Sequence, residues 1–282
     1  MIRRLLGPAI VVAVLFGLGV PVAFADDQPP FYYLALGDSL AAGYQPDSSI
    51  GPDQGYVPRV FQAVQAKVPN SELVNLGCGG ATTTTLLSGG GACTYDGAAS
   101  QLAAAENFLR DHRGRVLLVT IDIGGNDINR CAATGTIDQQ CAVEAIGTIA
   151  TNLQKIMVRL RLAAPLVRMV GMTYYDPYLA AWLSGAAGQA LAQQSIGLTT
   201  QLNQQLTAVY TARRARVADV EGAFATTDLA TTTALAGVGE VPLAVARICT
   251  LTWMCTRQDI HPTSAGYAVI AQAFLAQTPR LD

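Results

Sequence analysis

Short apolar runs alternate with amphipathic stretches from residue 31 onwards. Residues 31–36 form an aromatic and aliphatic run that stops at Gly37, the pattern of a strand buried on both faces. Residues 56–68 carry apolar side chains at Val57, Val60, Phe61, Val64 and Val68, a helical spacing. The same reading predicts strands over 73–76, 115–123, 166–170 and 215–220, and helices over 101–111, 142–162, 188–213 and 264–276. Strands separated by helices imply a parallel sheet, because parallel neighbours need a crossover connection. The predicted fold class is α/β: a single three-layer α/β/α domain around a central parallel sheet. In such sheets ligands sit at the carboxyl ends of the strands. Residues 223–257, rich in Thr, Ala and Gly and without strong periodicity, are expected to form a loop wall beside the site.

The amino terminus reads differently. Arg3 and Arg4 precede an apolar run over residues 5–22, and Ala23-Phe24-Ala25 matches a small-residue cleavage site. Residues 1–25 are therefore expected to be a cleaved signal peptide and 26–282 the secreted, extracellular domain. The rival is an uncleaved membrane anchor, since the run is close to spanning length. Without Arg3 and Arg4, 16 basic residues face 20 acidic ones, a formal charge of about −4. No sequence cluster of Lys and Arg offers itself to phosphates, which argues against a nucleic-acid partner. Six cysteines, at positions 78, 93, 131, 141, 249 and 255, suit an exported chain with disulfides. Short loop closure pairs Cys78 with Cys93, Cys131 with Cys141, and Cys249 with Cys255. Zinc is a poor reading, because there is no C-x-x-C and the chain has only two histidines.

Polar clusters follow three of the predicted strands: Gly37-Asp38-Ser39, Gly77-Cys78-Gly79-Gly80 and Gly124-Gly125-Asn126-Asp127. A serine at a strand end can present both its hydroxyl and its backbone N–H to one cleft, yet alone such a cluster is an ordinary turn. A hydroxyl becomes a useful nucleophile when a base takes its proton. His112, within Arg110-Asp111-His112-Arg113, reads as a surface residue at a charged helix end. His261, before Pro262 and a capped helix start, is the candidate base. The Asn126 amide and the Gly80 N–H, together with the Ser39 N–H, could form an oxyanion hole.

These blocks, in this order, resemble the SGNH hydrolase family, also called the GDSL-type lipases and esterases, over nearly the whole chain after residue 25. The cysteine layout and the N-L-G-C-G-G and T-W-M-C stretches look like its secreted actinobacterial branch. The resemblance implies a flavodoxin-like fold with Ser39 as nucleophile and first oxyanion donor, Gly80 and Asn126 as further donors, and His261 as base. Gly80 is preferred over Gly77 and Gly79 because Ala81-Thr82 follow it as the family pattern expects. One position departs. The family's aspartate usually stands three residues before the histidine, where this chain has Gln258, and Asp259 stands two before. Either Asp259 or a main-chain carbonyl would then orient the ring.

The implied reaction is two-step acyl transfer without metal or organic cofactor, and its rate should rise with pH as the imidazole loses its proton. The expected partner is a small-molecule or lipid ester, with transient contact to lipid surfaces, met by a monomer. Tyr174–Leu179 and Leu251–Met254 could line an acyl groove or belong to the core. Polysaccharide O-acetyl esterase, a non-catalytic extracellular binding module and an anchored envelope scaffold are the rival functions.

Overall fold

The computed structural model describes residues 28–278 except 48 and 134; the expected signal segment, residues 1–25, lies outside the described residues. In chain order the strands before residue 220 are β1 (Phe31–Gly37), β2 (Ser71–Asn75), β3 (Val116–Asp122), β4 (Ala132–Ala133), β5 (Thr136–Ile137), β6 (Arg168–Met172) and β7 (Arg216–Ala218). Five of them form a parallel sheet in the order β2-β1-β3-β6-β7, while β4 and β5 make a separate antiparallel hairpin. This is the three-layer parallel architecture expected from the alternating pattern.

The helices preceding the carboxyl-terminal region are α1 (Tyr56–Lys67), α2 (Thr83–Ser88), α3 (Gln101–Asp111), α4 (Gly125–Asn129), α5 (Gln139–Ala163), α6 (Ala186–Ala212) and α7 (Val220–Ala223). After them come a hairpin, β8 (Thr232–Leu235) with β9 (Gly239–Pro242), and α8 (Leu243–Leu251), α9 (Met254–Arg257) and α10 (Ser264–Ala276). α1 packs on α10, whereas α3, α5 and α6 pack in series, so two helical layers cover the sheet. The β1 and β3 side chains from Tyr33 to Leu36 and from Leu118 to Ile121 are completely buried. Continuous burial on both faces is why these strands read as unbroken apolar runs rather than alternating ones. The three expected cysteine pairs are bonded, with Cα–Cα separations of 6.0, 5.5 and 5.0 Å.

Two expectations are corrected. The fourth sheet strand begins at Arg168, not at residue 166, because Arg161 ties the preceding loop to the end of α5. Its guanidinium donates to the Val167 carbonyl at 2.6 Å, and Leu166 is left 97% exposed. Residues 223–257 are not a loop wall. They hold the β8–β9 hairpin and α8, whose Ala244, Val245, Ile248 and Leu251 face the core at helical spacing, and none of them lines the cleft described below.

Candidate active site

Gly37 ends β1 directly beside Asp122, the last residue of β3. A Cβ on Gly37 would fall 1.8 Å from the Asp122 Oδ1, so this register needs a glycine there. The chain then turns through residues 38–43. Asp38 Oδ1 accepts the Leu40 N–H at 2.9 Å, and Asp122 Oδ2 accepts the Ala41 N–H at 3.0 Å. The preceding Ser39 N–H forms no hydrogen bond among the described residues. Two buried carboxyl groups thus fix the turn while leaving free the one N–H that belongs to the serine.

Those carboxyl groups are 2% and 0% exposed, and they meet each other beneath the turn. Burial pushes the Asp38 carboxyl up to about 6 and raises that of Asp122 well above the ordinary range. The negative charge of Asp38 raises Asp122 further. Tyr174 and Tyr56 complete the network, donating to Asp38 Oδ2 at 3.3 Å and to Asp122 Oδ1 at 2.9 Å.

Across the sheet, β3 is followed by Gly124, with φ of 122°, and by the short helix α4 carrying Asn126. The Asn126 Nδ2 donates to the Ala81 carbonyl at 3.0 Å, and Asp127 accepts the Thr83 N–H and hydroxyl at 2.8 and 2.6 Å. These bonds stitch the third polar cluster onto the second. Gly80 sits there in a tight turn with φ of 74°, closed by Ala81 N–H donating to the Cys78 carbonyl at 3.0 Å. Its own N–H is unpaired among the described residues, although Gly80 does not line the cleft that Ser39 and Asn126 share.

His261 arrives from the far end of the sequence. Its Nε2 lies 2.8 Å from Ser39 Oγ, and its Nδ1 lies 2.7 Å from Asp259 Oδ1. The same Asp259 oxygen accepts the His261 N–H at 2.8 Å, which closes a two-residue side-chain turn. Gln258, one residue earlier, adopts the left-handed conformation at the end of α9 with φ of 55°. That reversal lets a carboxylate two residues before the histidine reach the ring, which accounts for the departure in spacing. Tyr175 holds the loop from below through its hydroxyl to the Ile260 carbonyl at 2.8 Å. The Tyr44 ring lies against the imidazole, 4.2 Å between centroids.

His112 is elsewhere, at the opposite end of the sheet. It is half-buried between Tyr32 and Phe108 with Nδ1 3.0 Å from the Phe108 carbonyl, so it is packed rather than a bare surface residue. The cleft at Ser39 is lined by Ile128, Ala132, Ile137, Tyr174, Tyr175, Pro177, Leu198 and Leu202, with Ser195 and Thr199 among its polar members. Of the two apolar stretches read from sequence, Tyr174–Leu179 contributes to this wall. Leu251–Met254 does not: Leu251 and Thr252 are buried, and Trp253 bonds to Gln45 at 2.8 Å and stacks under Arg257.

The family model for GDSL-like lipases and acylhydrolases matches residues 35–269. The chain belongs to that family. Solved structures share the fold of this GDSL-like protein. The lipase Lip_vut3 from a goat rumen metagenome has 17% identity and a TM-score of 0.59 over 89% of this chain and 100% of its own. An extracellular lipase from Streptomyces rimosus has 21% identity and 0.54 over 88% and 100%. Phospholipase A1 from Streptomyces albidoflavus has 19% identity and 0.53 over 88% and 100%. No curated protein gives a significant match.

Sequence reading passed over several groups around this GDSL-like site: the Asp38–Asp122 pair, Tyr44, and the buried Asp176 with Ser195. Asp122 carries a signal in retrospect, as a charge ending an otherwise apolar strand. Asp176 is fully buried beside the cleft, accepting from Ser195 Oγ at 2.6 Å and from the Tyr178 N–H at 2.9 Å. Burial pushes its carboxyl from 3.8 up to about 6. The folded state therefore holds this proton more tightly than the unfolded chain does. The resulting cost is absent below pH 4, grows between 4 and 6, and is complete above 6. In Asp176→Asn, an amide can still accept from Tyr178 and donate to Ser195, which bonds onward to the Ala192 carbonyl. We expect the variant to gain up to about 3 kcal/mol over wild type at pH 8, and almost nothing at pH 4. Urea unfolding at both values checks this; an equal gain at both would reject the ionisation argument.

Proposed function

We propose that this member of the family is an exported serine ester hydrolase acting on carboxylic esters with an apolar acyl group. The observation that carries the reading is the hydrogen-bonded chain from Ser39 Oγ through His261 to Asp259, placed at the mouth of an apolar cleft beside an unpaired Ser39 N–H. His261 Nε2 takes the hydroxyl proton as Ser39 Oγ attacks the ester carbonyl. Asp259 holds the ring in the tautomer with hydrogen on Nδ1 and stabilises the imidazolium that forms. The carbonyl oxygen gathers negative charge, for which the Ser39 N–H, the second Asn126 amide hydrogen and the unpaired Gly80 N–H are the available donors. His261 then returns its proton to the departing alcohol, and water attacks the acyl-serine by the same route.

Export is supported by the amino-terminal pattern together with three disulfides, which suit an oxidising compartment. The apolar lining favours medium-chain esters over acetate. Nitrophenyl butyrate and octanoate should be hydrolysed with kcat/KM at least about tenfold above acetate, since each buried methylene contributes about 0.8 kcal/mol. A nitrophenyl phosphonate should release nitrophenol as Ser39 Oγ bonds to its phosphorus, and add the mass of the remaining phosphonyl group to the peptide containing Ser39. A best rate on acetate would favour the O-acetyl esterase reading, while neither turnover nor labelling would reject catalysis at this serine.

A further inference from the structure

Basic residues scattered along the sequence meet at the amino-terminal ends of the strands, the edge opposite the active site. Arg115, Arg168 and Arg216 stand at the starts of the neighbouring strands β3, β6 and β7. Arg113 follows the end of α3, and Arg213 and Arg214 follow the end of α6. None of the six is within 4.0 Å of a carboxylate among the described residues. Among the described residues, the nearby acidic residues in this part of the fold are Asp111 at the end of α3 and Glu72 in β2. A molecule of net negative charge thus gathers six of its arginines at one edge.

Large apolar side chains project from the same face. Leu162 is 76% exposed and Leu166 is 97% exposed, and they share a shallow groove with Arg113. The loop that presents Leu166 is held in place. Arg161 donates to the carbonyls of Arg213 at 2.8 Å, Arg214 at 2.8 Å and Val167 at 2.6 Å, tying the loop to the end of α6. Helix carboxyl termini attract arginine through their dipoles, which explains cations there but not two leucines held out in water between them. Outward apolar anchors beside guanidinium groups that have no carboxylate partner among the described residues suit a lipid surface with anionic headgroups.

We propose that this edge is a docking face for anionic phospholipid membranes, with Leu162 and Leu166 entering the headgroup layer and the arginines meeting lipid phosphates. The described chain enters the fold at this edge, with Gln28 leading into β1. The seven residues of β3 separate this edge from the Ser39 turn, about 20 Å at roughly 3.3 Å per residue. A docked molecule therefore turns its active site away from the lipid and draws substrate from the aqueous side.

The test is sedimentation of the chain from Asp26, which contains every described element of the fold, with phosphatidylcholine vesicles and with vesicles one-third phosphatidylglycerol. Binding is expected only to the anionic vesicles and should fall steeply between low and high salt. Arg113→Ser with Arg214→Ser should weaken it about tenfold or more, and Leu162→Ser with Leu166→Ser should weaken it comparably. Equal binding to both vesicle types, binding unchanged in both variants, or no binding would overturn the proposal. So would a dimer formed without lipid and broken by the leucine variant, which would assign the face to a second copy. Nitrophenyl butyrate hydrolysis should match wild type in both variants and persist on the vesicles. That last readout alone rests on the proposed hydrolase function, and wild type inactive in solution would count against that function, not against the docking face.

Discussion

Replacing Ser39 with alanine is expected to lower kcat/KM for nitrophenyl esters by roughly 10⁴-fold or more while leaving the fold intact. The physical case rests on what the substitution removes. Ser39 Oγ is the group placed 2.8 Å from an imidazole that is itself bonded to a carboxylate, so no neighbouring side chain inherits the attack. The turn does not depend on this hydroxyl, because the carboxyl groups of Asp38 and Asp122 anchor it through Leu40 and Ala41. Loss of one side-chain hydrogen bond should cost about 1 kcal/mol of stability. Substrate binding should change little, since the apolar wall is untouched. Steady-state kinetics beside a denaturant curve separates the two effects. A variant retaining a tenth of wild-type activity would show that Ser39 is not the nucleophile.

Strand and helix alternation was legible because β1 and β3 are buried on both faces and the flanking helices are amphipathic. The ends were less so: Leu166 belongs to an apolar run yet lies in solvent, because Arg161, five residues earlier in sequence, captures the loop carbonyls. Residues 223–257 misread as loop because β8 and β9 have four residues each, too few to show a period. In the site, the polar clusters that follow strands could be seen singly and joined through their resemblance to one family. Groups that work through contacts distant in sequence could not. The Asp38–Asp122 pair exists only because β1 and β3 are neighbours in a register that sets Gly37 beside Asp122. Tyr44 meets His261 only after the chain has closed, with the Tyr267 hydroxyl bonding to the Tyr44 carbonyl at 2.8 Å.

That buried pair bears on how Ser39 is held. A single ionised carboxylate under the turn would have to satisfy its charge without water, at considerable cost. Here both buried carboxyl groups are hydrogen-bonded by side chains as well as by the turn, Tyr174 donating to Asp38 and Tyr56 to Asp122. The arrangement supplies acceptors for two successive N–H groups without recruiting the third. Rigidity at the Ser39 turn and freedom of the Ser39 N–H thus have the same origin.

Asp259→Ala should reduce kcat by roughly 10² to 10³-fold with little change in KM, because the carboxylate acts on the transition state through His261 rather than on bound ester. The lower part of the usual range is expected here, since the Asp259 side chain is 21% exposed and water can partly replace it. Asp259→Asn distinguishes two contributions. An asparagine oxygen can still accept from the His261 N–H and from Nδ1–H, preserving the turn and the tautomer, but it offers the imidazolium no countercharge. If charge is the larger part, the asparagine variant will fall nearly as far as the alanine one. If orientation is, it will stay within about tenfold of wild type. Gln258→Ala, at the position where the family pattern places its aspartate, should be within a few fold of wild type in either case, since Gln258 is exposed. Alanine at 259 leaving kcat within a few fold would remove the carboxylate from the mechanism and leave His261 oriented by its loop alone.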